Sequence, residues 1–488
     1  MLSTYIDRRG GIFGTSVVVP GFFAVAALLV LVCLRWPSTL AAAGAVAIAF
    51  GLLGAINFTS HHTRWLVLPL LVNEAMASVS LIDDSVRPIL RYSMLALFCA
   101  PYVSTAAKTG LLKKGGFRLY AMYFIWAAVT VCFSVYPFYS FGRMISAALL
   151  LMTIVAITAS TDDDAQIYEL FGIFWIGSSI IIAASAVALI VLPSDITWKL
   201  DDNGMLRFAG LFNGPNQIGE IALTTVAAGV ICWPAAARRT RFLIVLASLA
   251  AIVLDVMADS RSPLIALSVG LILFGISRLG LRAVVLAAIL FIAATVVLPR
   301  LEGGRDYVMR GDVASLTGRT EIWRYVIHAI KERPVLGYGY EVEGQIFQSR
   351  YFPLWEEIWN EGPRSSLHNG YLSRAVGVGI PATLLWAFII LRALRFAIFD
   401  RHAPRVLRDA VLIGAAPVLV LNMVESTAGD CRYSVGLLLA LIWALSEKNR
   451  LLSIESDSAE DAVSIDLAGR LRSISPAPTP IQRTFGAL

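Results

Sequence analysis

Apolar runs of about the length that crosses a bilayer recur along most of this 488-residue chain, and they constrain its fold more than any other feature. A helix needs about 20 residues, fewer for a short span, to cross roughly 30 Å of hydrocarbon. Inside hydrocarbon each run satisfies its own backbone hydrogen bonds only as a helix, which excludes a β-barrel. The runs are Val17 to Leu34, Leu40 to Asn57, Trp65 to Leu81, Pro88 to Ser104, Leu119 to Tyr136, Phe141 to Thr158 and Tyr168 to Leu192. They continue with Ile218 to Trp233, Phe242 to Ala258, Ser262 to Ser277, Leu281 to Leu298, Tyr371 to Leu391, Val411 to Val424 and Tyr433 to Ala444. The expected fold class is therefore all-α, a polytopic helical integral membrane protein with about 12 to 14 spans. The third run is the weakest, because Glu74 interrupts it. With 57% hydrophobic and 15% charged residues, the chain has too little polar surface to cover a soluble globule of its size. A cleaved signal peptide is not expected, since the first run ends in Arg35-Trp36-Pro37 and another apolar run follows at once. Cys33, Cys99, Cys132 and Cys232 sit inside apolar runs and Cys431 stands alone near a helix end, so the cysteines read as small hydrophobes.

Orientation follows from the short basic loops. Lys108, Lys113, Lys114 and Arg118 share one; Arg238, Arg239 and Arg241 another; Arg278 and Arg282 a third; and Arg392, Arg395, Arg401, Arg405 and Arg408 a fourth. If the runs alternate, all four loops fall on one side, the cytoplasm, together with both termini. The net charge of +6 thus reports topology rather than a nucleic-acid partner. The opposite side receives two longer connections, 193–217 and the much larger 299–370. Within the larger one, Ile322, Trp323, Val326, Ile327 and Ile330 recur at helical spacing and predict an amphipathic helix over 317–331, ended by Pro334. Residues 1–452 form the expected membrane domain. From Ser453 onward the Ser-, Asp- and Pro-rich tail, 453–488, is expected to be cytoplasmic and disordered.

Four short stretches suited to chemistry fall at or near the non-cytoplasmic face. Arg207 begins Arg-Phe-Ala-Gly-Leu-Phe-Asn-Gly-Pro-Asn216-Gln217, where Gly210, Gly214 and Pro215 permit a tight fold beside a permanent cation. Asp259-Ser260-Arg261-Ser262 lies between two closely connected spans, where a charge is costly unless paired or used. Arg319 stands in the first turn of the amphipathic helix, whose N–H groups also favour anions. His368-Asn369-Gly370-Tyr371 lies where the large loop re-enters the membrane. His61, His62 and His402 fall in cytoplasmic loops, and His328 is read as structural. Each stretch also has a plain reading as a loop, a snorkelling arginine or a solvated helix start; their convergence on one face favours a site. Arginines without a carboxylate-rich metal cluster suit a phosphate group held by guanidinium forks. No P-loop and no paired-histidine zinc motif is present.

The ordered set Arg207, Gly210, Pro215-Asn216, then Ser260-Arg261-Ser262, then Gly318-Arg319, Trp323, Pro334, Gly337-Tyr338-Gly339, then His368-Asn369, Tyr371, Gly377 and Gly379-Ile380 resembles the O-antigen ligase and polymerase superfamily. The resemblance implies a GT-C-like bacterial inner-membrane glycosyltransferase, acting at the periplasmic face on a sugar chain carried by undecaprenyl diphosphate. It implies a metal-independent enzyme without a cofactor. Arg207 and Arg319 would bind the donor diphosphate, Arg261 would assist, and His368 would orient or deprotonate the acceptor hydroxyl. Asn216, Asn369 and Tyr371 would line the substrate site. Of the family's activities, polymerisation of exopolysaccharide or O-antigen repeat units is the reading we favour. Ligation to lipid A core or protein is the alternative. The implied partners are the lipid-linked donor, a glycan acceptor, the bilayer and other polysaccharide-assembly proteins, with no nucleic acid.

A flippase for the same lipid-linked sugars would share much of this pattern, but it should show internal repeats and charges spaced along its spans. Glu74, Glu220, Asp255 and Glu425 are the notable acids in or near spans and show no symmetric spacing. Asp255 and Glu220 are expected either to pair with the motif arginines or to face a polar crevice.

Overall fold

The computed structural model describes residues 60–76, 79–80, 87–200, 206–280, 282, 319–347, 349, 367–426 and 433–474. A 3-10 turn, Ser60–Leu66, leads into α1 (Val67–Met76), followed by α2 (Arg87–Lys108), α3 (Gly115–Cys132), α4 (Pro137–Ala159) and α5 (Asp164–Val191). A ribbon of β1 (Trp198–Leu200) and β2 (Leu206–Phe208) precedes α6 (Asn216–Cys232), α7 (Arg238–Met257) and α8 (Arg261–Leu279). After α9 (Arg319–Glu332) come α10 (Gly370–Phe399), α11 (Arg405–Ala410), α12 (Ala416–Leu421) and α13 (Tyr433–Ile474). A π turn, Val411–Ala415, joins α11 to α12.

Among the described residues, seven helices are long and apolar enough to cross a membrane: α3, α4, α5, α7, α8, α10, and α6 extended through Ala235. The protein is a multi-pass helical membrane protein. The runs at 17–34, 40–57 and 281–298 lie outside the described residues. The third run yields only the ten residues of α1. Val79 instead bridges to Phe212, so this segment pairs with the loop before α6. The ribbon is a second departure, because strands of three residues are too short to carry a readable alternation. A third is the tail. From Tyr433 to Ile474 the chain contains no proline, and the helix runs through 453–474 where the composition suggests an unstructured segment.

Local sequence explains the helix boundaries. Pro137 occupies the first turn of α4, where its missing N–H costs nothing. Asp163 caps α5 by accepting from Gln166 N at 2.8 Å, while Gln166 Oε1 accepts from Asp162 N at 2.8 Å. The outer face of α7 leaves Phe242, Leu246, Leu249, Val253 and Val256 exposed at helical spacing, a stripe suited to lipid. At the end marked by the basic loops, buried Glu447 accepts from Gly116 N at 2.6 Å and pairs with Arg392 at 2.8 Å, tying α3, α10 and α13 together. Arg278 pairs with Asp409 at the same end.

α10 is broken midway, and the break positions the other end of the bundle. Gly379 has φ 82° and Pro381 follows it, so the helical ladder is interrupted. The segment after α9 is laid into this gap. Tyr338 N donates to Val376 O at 2.8 Å, Gly339 N to Gly377 O at 2.9 Å, and Ile380 N to Pro334 O at 2.8 Å. Trp126 Nε1 donates to Val378 O at 3.0 Å. Three consecutive carbonyls of a broken helix thus find donors inside protein, as hydrocarbon demands. A Cβ on Gly337 would collide with the carbonyls of Val376 and Gly377, and one on Gly379 with that of Val335. The glycines of this segment are there for backbone approach.

α9 is amphipathic as expected, but its buried face is Ile322, Val326 and Ala329. Ile327, read from spacing as part of that face, is 44% exposed; it lies off the stripe of four- and three-residue steps that the buried set follows.

Candidate functional site

Four separate segments converge on one carboxylate, that of Glu425, which lies in the turn after α12 and is almost fully buried. Arg319, the first residue of α9, donates from its terminal nitrogen to Glu425 Oε1 at 2.8 Å. Asn216, the first residue of α6, donates from Nδ2 to the same oxygen at 3.2 Å. His368, just before α10, places Nδ1 3.1 Å from Oε2. Arg207, on β2, reaches this set through Asn216 Oδ1, which accepts from its guanidinium at 3.1 Å. Ser260 Oγ also lies 3.5 Å from Asn216 Oδ1. Arg207, Asn216, Arg319 and His368 therefore form one connected network.

Backbone around each member explains its placement. Arg207 is carried by the β1–β2 ribbon opposite Lys199, and Phe208 packs edge-on against Trp198. Its guanidinium donates to the carbonyls of Ala258 and Asp259, each at 2.9 Å, so it closes the turn between α7 and α8. Asp259 in that turn has φ 48°, and its carboxylate lies 3.5 Å from Arg261 Nε. Arg261 begins α8 about one-third exposed, beside the network but outside its Glu425 contacts. Trp323 Nε1 donates to Leu367 O at 3.2 Å, which ties the helix bearing Arg319 to the residue before His368.

His368 itself has φ 48°. A left-handed backbone is uncommon for a non-glycine residue and persists when surrounding structure holds it. Here the following residues do so. Asn369 caps α10 by accepting from Leu372 N at 3.0 Å, while its Nδ2 donates to Met423 O at 2.9 Å. Gly370 N donates to the carbonyls of Asn422 and Glu425, and a Cβ there would collide with the Asn422 side chain. Tyr371 OH donates to Leu419 O at 2.9 Å. Asn369 and Tyr371, read as substrate contacts, are thus placed where they lock the start of α10 against the 419–426 turn that presents Glu425.

Electrostatically the arrangement is a carboxylate between a guanidinium and an imidazole. Burial raises the Glu425 carboxyl, but the hydrogen bond and charge of His368 and those of Arg319 outweigh it and hold the group below its ordinary range. A carboxylate facing Nδ1 selects the tautomer that carries the proton there and leaves Nε2 as the basic nitrogen.

Of the two acids expected either to pair with the motif arginines or to face a polar crevice, neither Asp255 nor Glu220 hydrogen-bonds to an arginine among the described residues. Asp255 is buried and its Oδ1 accepts no hydrogen bond. Glu220 lines a small, mostly apolar cavity. The partner of Arg319 is Glu425, which sequence reasoning noted only as an acid near a span; a carboxylate at the end of an apolar run was its one signal.

Comparison with known proteins bears on the same segments. Residues 242–387 match the family model described as O-Antigen ligase, a range that contains Arg261, Arg319 and His368. The chain is also similar to the "Exopolysaccharide production protein ExoQ" of Rhizobium meliloti (strain 1021), at 32% identity over 130 residues. That match covers 24% of this chain and 30% of the relative's length.

Proposed function

For a chain that belongs to the O-antigen ligase and polymerase superfamily, we propose that the Glu425 network transfers an oligosaccharide from undecaprenyl diphosphate to a glycan hydroxyl at the periplasmic face of the bacterial inner membrane. Its reaction is most specifically the polymerisation of exopolysaccharide or O-antigen repeat units. The observation that carries this reading is the convergence of Arg319 and His368 on one buried carboxylate, with Arg207 joined to it through Asn216, at the end of the bundle opposite the basic loops.

The chemistry follows from the roles these groups can take. Arg319 spends one hydrogen bond on Glu425, and a guanidinium carries five N–H donors. The remainder of its fork suits diphosphate oxygens, with Arg207 and Arg261 adding positive field nearby. His368, held by Glu425 at Nδ1, takes the proton of the acceptor hydroxyl at Nε2. The acceptor oxygen forms its bond to the anomeric carbon as the bond from that carbon to the diphosphate oxygen breaks. The electron pair leaves on the diphosphate, where the arginines stabilise it. Attack opposite the leaving group inverts the anomeric centre. No metal ion or cofactor enters this scheme. Glu425 is a positioning residue: it fixes the histidine tautomer and stabilises the imidazolium that forms.

The test is incubation of the purified protein with undecaprenyl-diphosphate oligosaccharide, alone and with lipid A core. Lengthening of the lipid-linked chain without core supports polymerisation. Product only with core replaces it by ligation. Neither product, together with lipid-dependent transport in vesicles, refutes transfer in favour of a flippase.

A further inference from the structure

Behind the Glu425 network lies a second polar feature that the transfer scheme does not use. A cavity of about 10 Å³, the room one water molecule needs, is lined by Glu74, Gln217, Glu220 and Ser434 among apolar neighbours. Its walls come from α1, α5, α6 and α13, together with Phe212 of the loop before α6.

Three of the four polar lining residues bring oxygens without a hydrogen-bond partner among the described residues. Glu220 is 5% exposed and makes no hydrogen bond or ion pair among the described residues. Ser434 is 6% exposed, and its Oγ has no hydrogen-bond partner. The Oε1 of Gln217 is likewise buried without a partner. Glu74 is already answered: Asn73 Nδ2 donates to it at 2.9 Å and Arg91 pairs with it at 3.4 Å. Glu220 is therefore the one carboxyl of the lining without a hydrogen-bond or ion-pair partner among the described residues. As a carboxylate, Glu220 would be repelled by Glu425, on which the candidate site is built. A carboxyl buried without a partner takes up a proton or a cation rather than carrying a bare charge.

We propose that this cavity is a binding site for one monovalent cation of sodium size, held by Glu220, Gln217 Oε1 and Ser434 Oγ, with Glu74 completing the oxygen shell. All four ligands are hard oxygen donors, the class that alkali and alkaline-earth cations prefer. A single positive charge matches the one lining carboxyl without a partner among the described residues, and the space admits an ion no larger than a water molecule. Bound there, the cation relieves the repulsion between Glu220 and Glu425 and joins α1, α6 and α13 through a shared centre.

The experiment measures thermal unfolding of the detergent-purified full-length protein in sodium chloride and in N-methyl-D-glucamine chloride at matched ionic strength. The expected result is a Tm that rises with sodium and saturates, with no rise in the bulky organic cation, since only an ion bound to the native state stabilises it by mass action. Glu220→Gln should abolish the sodium response while leaving Tm in the organic salt equal to or above that of the wild type. Ser434→Ala should move the sodium midpoint upward by about tenfold and carries the test if Glu220→Gln fails to fold. Equal Tm in the two salts, the result for a cavity that holds only water or a proton, overturns the proposal. So does an undiminished sodium response in both variants.

Discussion

Replacing Glu425 by glutamine probes the network at its centre with little change in shape. The carboxylate accepts from Arg319 at 2.8 Å, from Asn216 at 3.2 Å and faces His368 Nδ1 at 3.1 Å. Glutamine keeps its acceptor oxygen toward Arg319 and Asn216, which both donate to Oε1, and turns its NH₂ toward His368 Nδ1, so that contact is lost and a donor faces a donor. Hydrogen bonds to charged groups contribute about 1.5–3 kcal/mol net. The His368 side chain is only part-buried and recovers some hydration, which places the stability loss at about 2 kcal/mol. The effect on transfer should be larger, because Nδ1 then faces a donor and the tautomer with basic Nε2 is lost. General-base help contributes about 10²–10⁴-fold, and we expect a fall in kcat of about a hundredfold or more with KM changed less. The assay is transfer from lipid-linked oligosaccharide by Glu425→Gln, His368→Ala and the double variant. If Glu425 acts through His368, the double variant is no slower than His368→Ala alone. Full activity in Glu425→Gln, or losses that multiply in the double variant, would refute the reasoning.

Other expectations follow from single features. Gly379→Ala should destabilise by on the order of 2–4 kcal/mol and lower the yield of folded protein, since it adds a Cβ against the Val335 carbonyl at φ 82°. Gly110→Ala, at φ 71° with open space around it, should cost only about 1 kcal/mol; equal losses by thermal unfolding would contradict the wedge between α10 and the 334–339 segment. Because the folded protein holds the Glu425 carboxyl below its ordinary value of 4.5, its stabilisation is complete above that value and disappears as pH falls through the depressed folded-state range. Tm in acid should accordingly fall more steeply for the wild type than for Glu425→Gln, and parallel curves would count against it. Trp323→Phe removes the donor to Leu367 while keeping an aromatic ring, and should cost about 0.5–1.5 kcal/mol by denaturation.

Much of the frame was legible in the residues because lipid forces a simple code: long apolar run, basic loop, long apolar run. The boundaries of α4 to α8 follow it within about four residues, as does the start of α10, whose end at Phe399 lies well past the expected Leu391. The start of α9 at Arg319 was readable from helical spacing. The glycines of 337–339 and 377–379 were readable as special but not as partners, since nothing in sequence says that two glycine pairs 40 residues apart will lie backbone against backbone. Glu425 shows the limit most clearly. An acid closing an apolar run looks the same whether it meets headgroups or anchors a network; only the meeting of α6, α9, α10 and the 419–426 turn distinguishes the two. Asn369 and Tyr371 show the converse, polar residues beside a histidine whose hydrogen bonds go to backbone.

The account's central claim, that Arg207 and Arg319 hold a diphosphate while His368 handles a proton, is tested most directly by measuring undecaprenyl-diphosphate binding in parallel with transfer. We expect Arg207→Ala and Arg319→Ala to weaken binding at least tenfold and abolish transfer, a loss of about 1.4 kcal/mol or more per arginine. His368→Ala should bind the lipid as the wild type does and yet transfer nothing. Unchanged lipid affinity in both arginine variants, or wild-type transfer by His368→Ala, would contradict it.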